Sequence, residues 1–557
     1  MTAELLIREL ERASQASGAI SRLRLLILNV AASGRLVRSE PTRRLNSAGQ
    51  GLSWEVPGHW DVVPFADLTG IGGTFVDGDW VESKDQDPSG DVRLTQLADV
   101  GVGHFRDRSS RFMRREVADR LNCTYLNPGD ILIARMPDPL GRACIFPGDP
   151  SSCVTVVDVA MLRTARTDVD GGFVVQVLNS SLFGALVASK ASGTTRQRIS
   201  RGNLGRLPFP LPPLAEQYRI VAKVDELMAM CDELEAAQTK REARRDRLRA
   251  TSLRNLVAPE EPKENARFFL RHSARMITSP EHVAGVRQAI WDLAVRGRLV
   301  PQDSADGAAK DLLGQILRLK SRTTSSRPRA NSELTASNSS AACQLPESWT
   351  WAQWQDVTLR IGDLDHAMPE AVATEGYPYV SPRDFRPNNV IDFDGAKRIS
   401  ASDYLRLSAK IRPERGDLIY PRYGTIGETR LVSTDREFLA SYSCAVIKIS
   451  DELTDSRYQY TFSRSDIGQV QAAAAVNQGT QPNVGIMSIK AFRFPLPPLA
   501  EQRRIVAKVD ELMALCNELE QSLAAEQTKR ARLLEALLHD VLEDPLSARG
   551  REPLGAR

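Results

Sequence analysis

Loop-like stretches rich in arginine, asparagine and glutamine carry the chemistry this sequence offers. GTTRQRISRGNLGR, from Gly193, holds Arg196, Arg198, Arg201 and Arg206 with no acid among them, and HFRDRSSRFMRR, from His104, adds Arg106, Arg108, Arg111, Arg114 and Arg115. Further on, YVSPRDFRPNN supplies Arg383, Arg386, Asn388 and Asn389, YPRYGTIGE supplies Arg422, Tyr423 and Thr425, and NQGTQPN supplies Asn477, Gln478, Gln481 and Asn483. A guanidinium can donate two hydrogen bonds to one guanine edge, a carboxamide can pair with an adenine edge, and Ser, Thr and Lys hold phosphates. A single polar loop is ordinarily just solvated. Recurrence at matching places in both halves of the chain argues instead for reading duplex DNA, with Lys84, Arg106, Arg108, Arg135, Arg196, Arg198, Arg201, Arg383, Arg422, Tyr423, Thr425, Gln478, Gln481 and Asn483 as the contact residues.

Catalytic constellations are missing. No GxxxxGK[ST] phosphate loop occurs, and the six histidines are scattered with no HExxH or other metal-ligand spacing. NPGD at Asn127 lacks the second proline and the aromatic of a DNA adenine methyltransferase motif. Glu82-Ser83-Lys84, downstream of Asp67, Asp77 and Asp79, has the acid-x-Lys form of a metal-dependent nuclease, but that triplet is common by chance and the other half offers no counterpart. We assign no catalytic and no metal-binding residue.

The elements that position the loops are legible from a repeat. FPLPPLAEQYRIVAKVDELMAMCDELE, Phe209 to Glu235, returns as FPLPPLAEQRRIVAKVDELMALCNELE, Phe494 to Glu520. Pro57, Trp60 and Asp67 align with Pro346, Trp349 and Asp356, PGDILIAR with RGDLIYPR, and LLILNVAASGRLV, ending at Val37, with RQAIWDLAVRGRLV, ending at Val300. A fixed repeat of this length means two copies of one topology. In each repeated sentence FPLPP forces an extended entry, Pro213 or Pro498 suits a first helical turn, and Glu216 or Glu501 follows at the positive end of the helix dipole. Ile220, Val224, Leu227, Cys231 and Leu234, and likewise Ile505, Val509, Leu512, Cys516 and Leu519, step by three and four as a coiled-coil seam. Cys231 and Cys516 are read as small buried residues of that seam. The first helix can reach roughly 60 Å. In the second, LEAAQTKR becomes LEQSLAAEQTKR, four residues longer and close to one turn.

Short apolar runs such as DILIA, FVVQVL, GDLIY and SCAVIKI, punctuated by Gly, Pro, Asp and Asn, predict a mixed α/β or largely β unit in each half. The boundaries read as a helical segment at 1–50, a first globular unit at 51–213, helices at 214–303, a Ser/Thr/Asn-rich flexible linker at 304–344, a second unit at 345–498 and helices at 499–557. A length of 557 residues demands more than one core, and a net charge of +3 names no partner. Seven cysteines without a CxxC pair argue against disulfides and zinc, so a reducing cytoplasm is expected; no run approaches a membrane span.

These motifs together resemble the specificity subunit of type I restriction–modification systems: PLPPLAEQxRIVAKVDELM twice, GRLVPQ at Gly297 to Gln302, GDWVESKD at Gly78 to Asp85 and GTTRxRIS at Gly193 to Ser200. The resemblance implies an α+β chain in which two target-recognition domains read a split DNA sequence and the long helices form an antiparallel coiled coil with a pseudo-two-fold repeat. It further implies two methyltransferase subunits docked on those helices, restriction subunits beyond them, and no cofactor in this chain, with S-adenosylmethionine, ATP and Mg on the partners. Two other classes compete with it. A self-contained DNA adenine methyltransferase or restriction enzyme with diverged motifs would transfer methyl groups unaided, and for a coiled-coil adaptor binding proteins only, affinity for DNA would show neither sequence preference nor the steep salt dependence of phosphate contacts.

Overall fold

The structure is a computed structural model that describes residues 18–37, 51–193, 196–258, 260–323, 344–364, 368–372, 375–479 and 481–543. Two compact units divide the chain: Met1–Glu242 with Thr528–Arg557, and Ala243–Gln527. The division falls inside the two longest helices, Leu214–Val257 and Leu499–Glu543, rather than at their ends. The first long helix gives its beginning to the first unit and its end to the second, and the other does the reverse.

Each unit is built from the same sheets. In the first, four antiparallel strands run in the order Thr74–Asp77, Val159–Arg163, Ile131–Ala134, Ala143–Ile145. The second unit repeats this as Arg360–Gly362, Cys444–Lys448, Leu418–Pro421, Arg430–Leu431. The central strands Ile131–Ala134 and Leu418–Pro421 are buried on both faces, which is why they read as unbroken apolar runs. A smaller three-stranded sheet with one parallel pairing accompanies each, Val92–Thr95 beside Ser152–Thr155 and Tyr377–Val380 beside Leu439–Ala440.

The repeated sentence opens as a strand. Pro208–Leu211 pairs with Asp61–Pro64, and Arg493–Leu496 with Thr350–Gln353, burying Phe209 and Phe494. At the start of each long helix a fully buried glutamine then ties three chain segments together. Gln217 accepts from the Asp170 amide at 2.8 Å and donates to the Asp168 and Pro212 carbonyls, both at 2.8 Å. Gln502 accepts from the Asp455 amide at 2.9 Å and donates to the Pro497 carbonyl at 2.9 Å. Asp170 and Asp455 cap the helices Gly171–Leu178 and Ser456–Arg464, so each glutamine fixes a long helix to its own globular unit. The neighbouring glutamates are buried too: Glu216 meets His59 at 2.7 Å, and Glu501 accepts from Gln302 at 2.6 Å, joining PLPPLAEQ to GRLVPQ.

The short helices Ala19–Ala32 and Val283–Val295 precede the two GRLV segments. Their glycines, Gly34 at φ 71° and Gly297 at φ 66°, leave no space for a side chain: a Cβ would lie 2.5 Å from Pro57 and 2.4 Å from Pro346. Arg24 holds Asp232 and Glu235 near the middle of the first long helix, and Arg287 holds Asn517 and Glu520 at the corresponding place on the second. The seam residues Ile220, Val224, Leu227 and Cys231 accordingly pack against Ile20, Leu23 and Ile27 of the short helix as well as the domain core. In the second unit Ile505, Val509 and Cys516 are buried with Ile290, and Leu512 packs beside them, while Leu519 stands 37% exposed.

The stretch read as a flexible linker begins as structure. Ala309–Thr323 is a helix, with Ala309 and Ile316 buried and Lys320 donating to the Gln355 carbonyl, because AKDLLGQILRLK is amphipathic and the Ser/Thr/Asn bias starts only after it. Residues 324–343, 1–17 and 38–50 lie outside the described residues, and with them the rest of that linker and most of the N-terminal helical reading. No single helix among the described residues is long and apolar enough to cross a membrane.

One contact differs between the copies. Asn29 accepts from the Ser181 amide at 2.9 Å and donates to the Ser181 hydroxyl at 2.7 Å, holding the first turn of the helix Ser181–Ser189. At the matching point Asp292 accepts from the Asp466 amide at 2.7 Å and from Gln288 at 3.0 Å, while Arg296 clasps the Asp466 carboxylate at 2.7 and 2.8 Å. Burial, together with the nearby Asp466 charge, pushes the Asp292 carboxyl up to about 6. A carboxyl that binds its proton more tightly when folded stabilises the fold at pH values below its unfolded range, and that contribution is lost as pH rises through about 6. Asp292→Asn, which copies the first unit, should therefore stabilise the second unit by about 1–3 kcal/mol at pH 7.5 and by little at pH 4.5. Denaturant unfolding at the two pH values checks this; an equal effect at both would show that Asp292 stays ionised throughout.

Candidate nucleic-acid interface

In each unit a buried arginine, expected as a DNA contact, anchors a segment that carries several of the predicted contact residues. Arg135 follows the strand Ile131–Ala134, and Arg422 follows the matching strand Leu418–Pro421. Arg135 donates through Nε to the Ile199 carbonyl at 3.0 Å, receives the Ile199 amide on its own carbonyl at 3.2 Å, and pairs with Asp77. Arg422 repeats these three: Nε to the Val484 carbonyl at 2.9 Å, the Val484 amide to its carbonyl at 3.0 Å, and an ion pair with Asp363. Both side chains are less than a tenth exposed, 7% and 8%. Arg135 and Arg422 are thus pins rather than contacts, because a buried guanidinium must spend its donors on the chain around it.

What they pin is a hairpin. In the first unit Ser192 and Arg198 bridge antiparallel, and Gly193, at φ 99°, has the Arg196 carbonyl 2.4 Å from where a Cβ would lie. Arg196 projects from it, exposed and with no ion pair among the described residues. Arg198 is half-buried and leans on Asp158 at 3.3 Å, and Arg201 donates to the Phe75 carbonyl at 3.0 Å. In the second unit Val476–Asn477 pairs with Asn483–Val484, and Gln478 and Gln481 stand exposed between the two strands. Tyr423 bridges Asn483, so the hairpin and the loop carrying the exposed Thr425 form one surface.

A second buried arginine in each unit attaches one more loop. Arg142 donates to the carbonyls of Val100 at 2.7 Å, Leu97 at 2.8 Å and Pro139 at 3.0 Å. Arg430 donates to the Arg386 carbonyl at 2.9 Å and lies over the Phe385 ring. The loop tied by Arg142 is shaped by the buried Asp99, which accepts the Arg108 and Ser109 amides at 2.6 and 2.7 Å and leaves the Arg108 side chain exposed and that of Arg106 half-buried. Beside Arg430, Arg383 is exposed and Arg386 pairs with Asp392 at 2.7 Å. Asn389 is structural, accepting the Leu431 amide at 2.8 Å and donating to the Leu431 carbonyl at 2.9 Å. Lys84 is exposed and pairs with Glu82 at 2.7 Å.

The acids considered for metal chemistry are otherwise engaged: Asp77 holds Arg135, Glu82 holds Lys84 and Asp79 accepts the Thr124 amide. No group of His, Cys, Asp or Glu side chains among the described residues could hold a metal ion. Burial pushes the thiols of Cys144 and Cys153 up to about 11 and those of Cys123 and Cys444 up to about 12, far from a reactive thiolate.

Each unit thus presents different exposed side chains on a sheet of the same strand order, held by the same buried arginine, as a protein with two recognition domains would. The family described as "Type I restriction modification DNA specificity domain" matches residues 89–245 and again 365–527, and the chain belongs to it. It carries the domain twice, as a specificity subunit whose part is recognition rather than catalysis. It is 26% identical to the type I restriction enzyme EcoAI specificity subunit of Escherichia coli over 74% of this chain and 72% of the relative. It is 24% identical to the EcoEI specificity subunit of the same species over the same shares. The HsdS subunit from Thermoanaerobacter tengcongensis, 17% identical, aligns over 89% of this chain and 99% of its own with a TM-score of 0.41.

Removing a pin should loosen the tip. Arg422→Met leaves Asp363 and the Val484 carbonyl without their partner, so the second unit should lose about 2–4 kcal/mol. Amide exchange at residues 476–484 should accelerate while that of the first unit's hairpin stays unchanged; equal exchange in both hairpins would show that Arg422 does not hold the tip.

Proposed function

We infer that the two hairpin tips each read one part of a split duplex DNA sequence, and that the long helices carry the subunits that act on it. The observation behind this reading is the doubled pin: the buried arginine and its aspartate are the same in both units, while the exposed residues change from arginine in the first hairpin to glutamine in the second. A scaffold kept constant beneath different hydrogen-bonding groups is what two different half-sites require. Arg196 suits a guanine edge, and Gln478 and Gln481 suit adenine edges. Two methyltransferase subunits fit the repeated helices, since a chain with an approximate two-fold repeat offers the same surface twice. S-adenosylmethionine, ATP and Mg belong to those partners and to the restriction subunits. A cytoplasmic setting fits six described cysteines that are all buried and unpaired.

The deciding experiment is a map of methylated adenines in the host genome with and without this gene, together with a transfer assay on the isolated chain. Methylation at a split sequence that vanishes with the gene, and no methyl transfer by the chain alone, supports the reading. Transfer without a partner would favour a self-contained enzyme.

Arg196→Ala should weaken recognition of one half-site by about 1–3 kcal/mol, and Gln478→Ala the other by a similar amount, each measured against duplexes altered in a single half-site. Loss spread evenly over all sequences would make either residue a phosphate anchor. Deleting Leu523 to Glu526 removes about 6 Å of helix. The spacer between the half-sites should then change by about one or two base pairs at about 3.4 Å each, with both half-sites intact; an unchanged spacer would mean this helix does not set it.

A further inference from the structure

Trp80 has no role in the fold. All seven tryptophans are described, and Trp80 alone is exposed, at 69%, its indole making only a 3.4 Å hydrogen bond to Glu82. An isolated exposed apolar residue is ordinary on a protein surface. The backbone beneath this one is not. Gly78 lies so close to the turn after Thr155 that a Cβ would sit 2.1 Å from the Val156 carbonyl. Asp79 forms a bridge to Val156 and accepts the Thr124 amide at 2.9 Å. Beyond Trp80, Glu82 and Asp85 close a capping box, with Asp85 buried against Arg120. The indole is therefore raised on a segment fixed at both ends, the arrangement that gives an aromatic contact without an ordering penalty on binding.

The turn on which this segment rests is also the turn that the reading hairpin leans on. Arg135 donates to the Val157 carbonyl at 3.2 Å, and Arg198 pairs with Asp158. Trp80 and the hairpin that presents Arg196 are thus anchored to three consecutive residues, Val156 to Asp158. Lys84, exposed on the same segment, supplies a cation at the edge of this surface.

We propose that Trp80 is a further recognition residue of the first unit, its indole wedging against a base step of the duplex at the border of the half-site that Arg196 reads. The proposal rests on the DNA-reading assignment of the tip. A planar apolar group driven against a base step unstacks it in part and fixes the protein's register, at a cost that depends on the step. Selectivity would then extend to a position at which no hydrogen bond is made.

The test uses the full chain and duplexes carrying the sequence its host methylates, with 2-aminopurine placed in turn at each position in and around the first half-site. The wild-type chain should raise the fluorescence of 2-aminopurine at one step. Trp80→Ala should abolish that rise and weaken binding to the target by roughly 10- to 100-fold. The salt dependence and the second half-site preference should stay as they were, and Trp80→Phe should keep most of the effect. Target binding by Trp80→Ala equal to wild type, or weakened binding with no unstacked base in the wild-type complex, would overturn the wedge. Absence of any preference for the target in the wild-type chain would instead remove the DNA-reading assignment, and the wedge with it.

Discussion

The arrangement depends first on one carboxamide, placed at the head of each long helix. A buried glutamine that loses its partners leaves strong polar groups unsatisfied, so Gln217 and Gln502 tolerate few alternatives in geometry. Each amide meets the proline turn on one side and the residue that caps a domain helix on the other. Strand, turn, long helix and domain are therefore set by one side chain. This accounts for the near-identity of the repeated sentence: its first half is a joint, and a joint between unlike domains must keep its own shape.

Much of this was legible in the sequence. The repeat announced two copies of one topology, and the short apolar runs became the central strands because strands covered on both faces need no alternation. The helix starts followed from Pro213 and Pro498, and Cys231 and Cys516 are buried at seam positions. What the seam faces was not legible, since a three–four spacing describes one surface without naming its partner, and short helices fill much of it.

The contact residues divide along a similar line. Arg196, Gln478, Gln481 and Thr425 are exposed on turns and loops, where a polar loop residue is expected to be. Arg135 and Arg422 looked the same as text, yet each is buried by an aspartate more than fifty residues earlier in the chain, Asp77 and Asp363, a pairing that only the folded sheet creates. Arg142, Arg430 and Asp99 escaped notice for the same reason. Trp80 lay in a quoted motif, but composition does not reveal which tryptophan of seven stands in solvent.

The pins also bear on how such a chain can acquire a new target. Arg135 and Arg422 hold their hairpins through main-chain carbonyls and amides, groups that every residue type provides. The side chains between the pinned positions can therefore be exchanged while the attachment stays the same. Each tip behaves as a replaceable cassette on a permanent socket, and new specificity can arise by small steps that never pass through an unfolded protein.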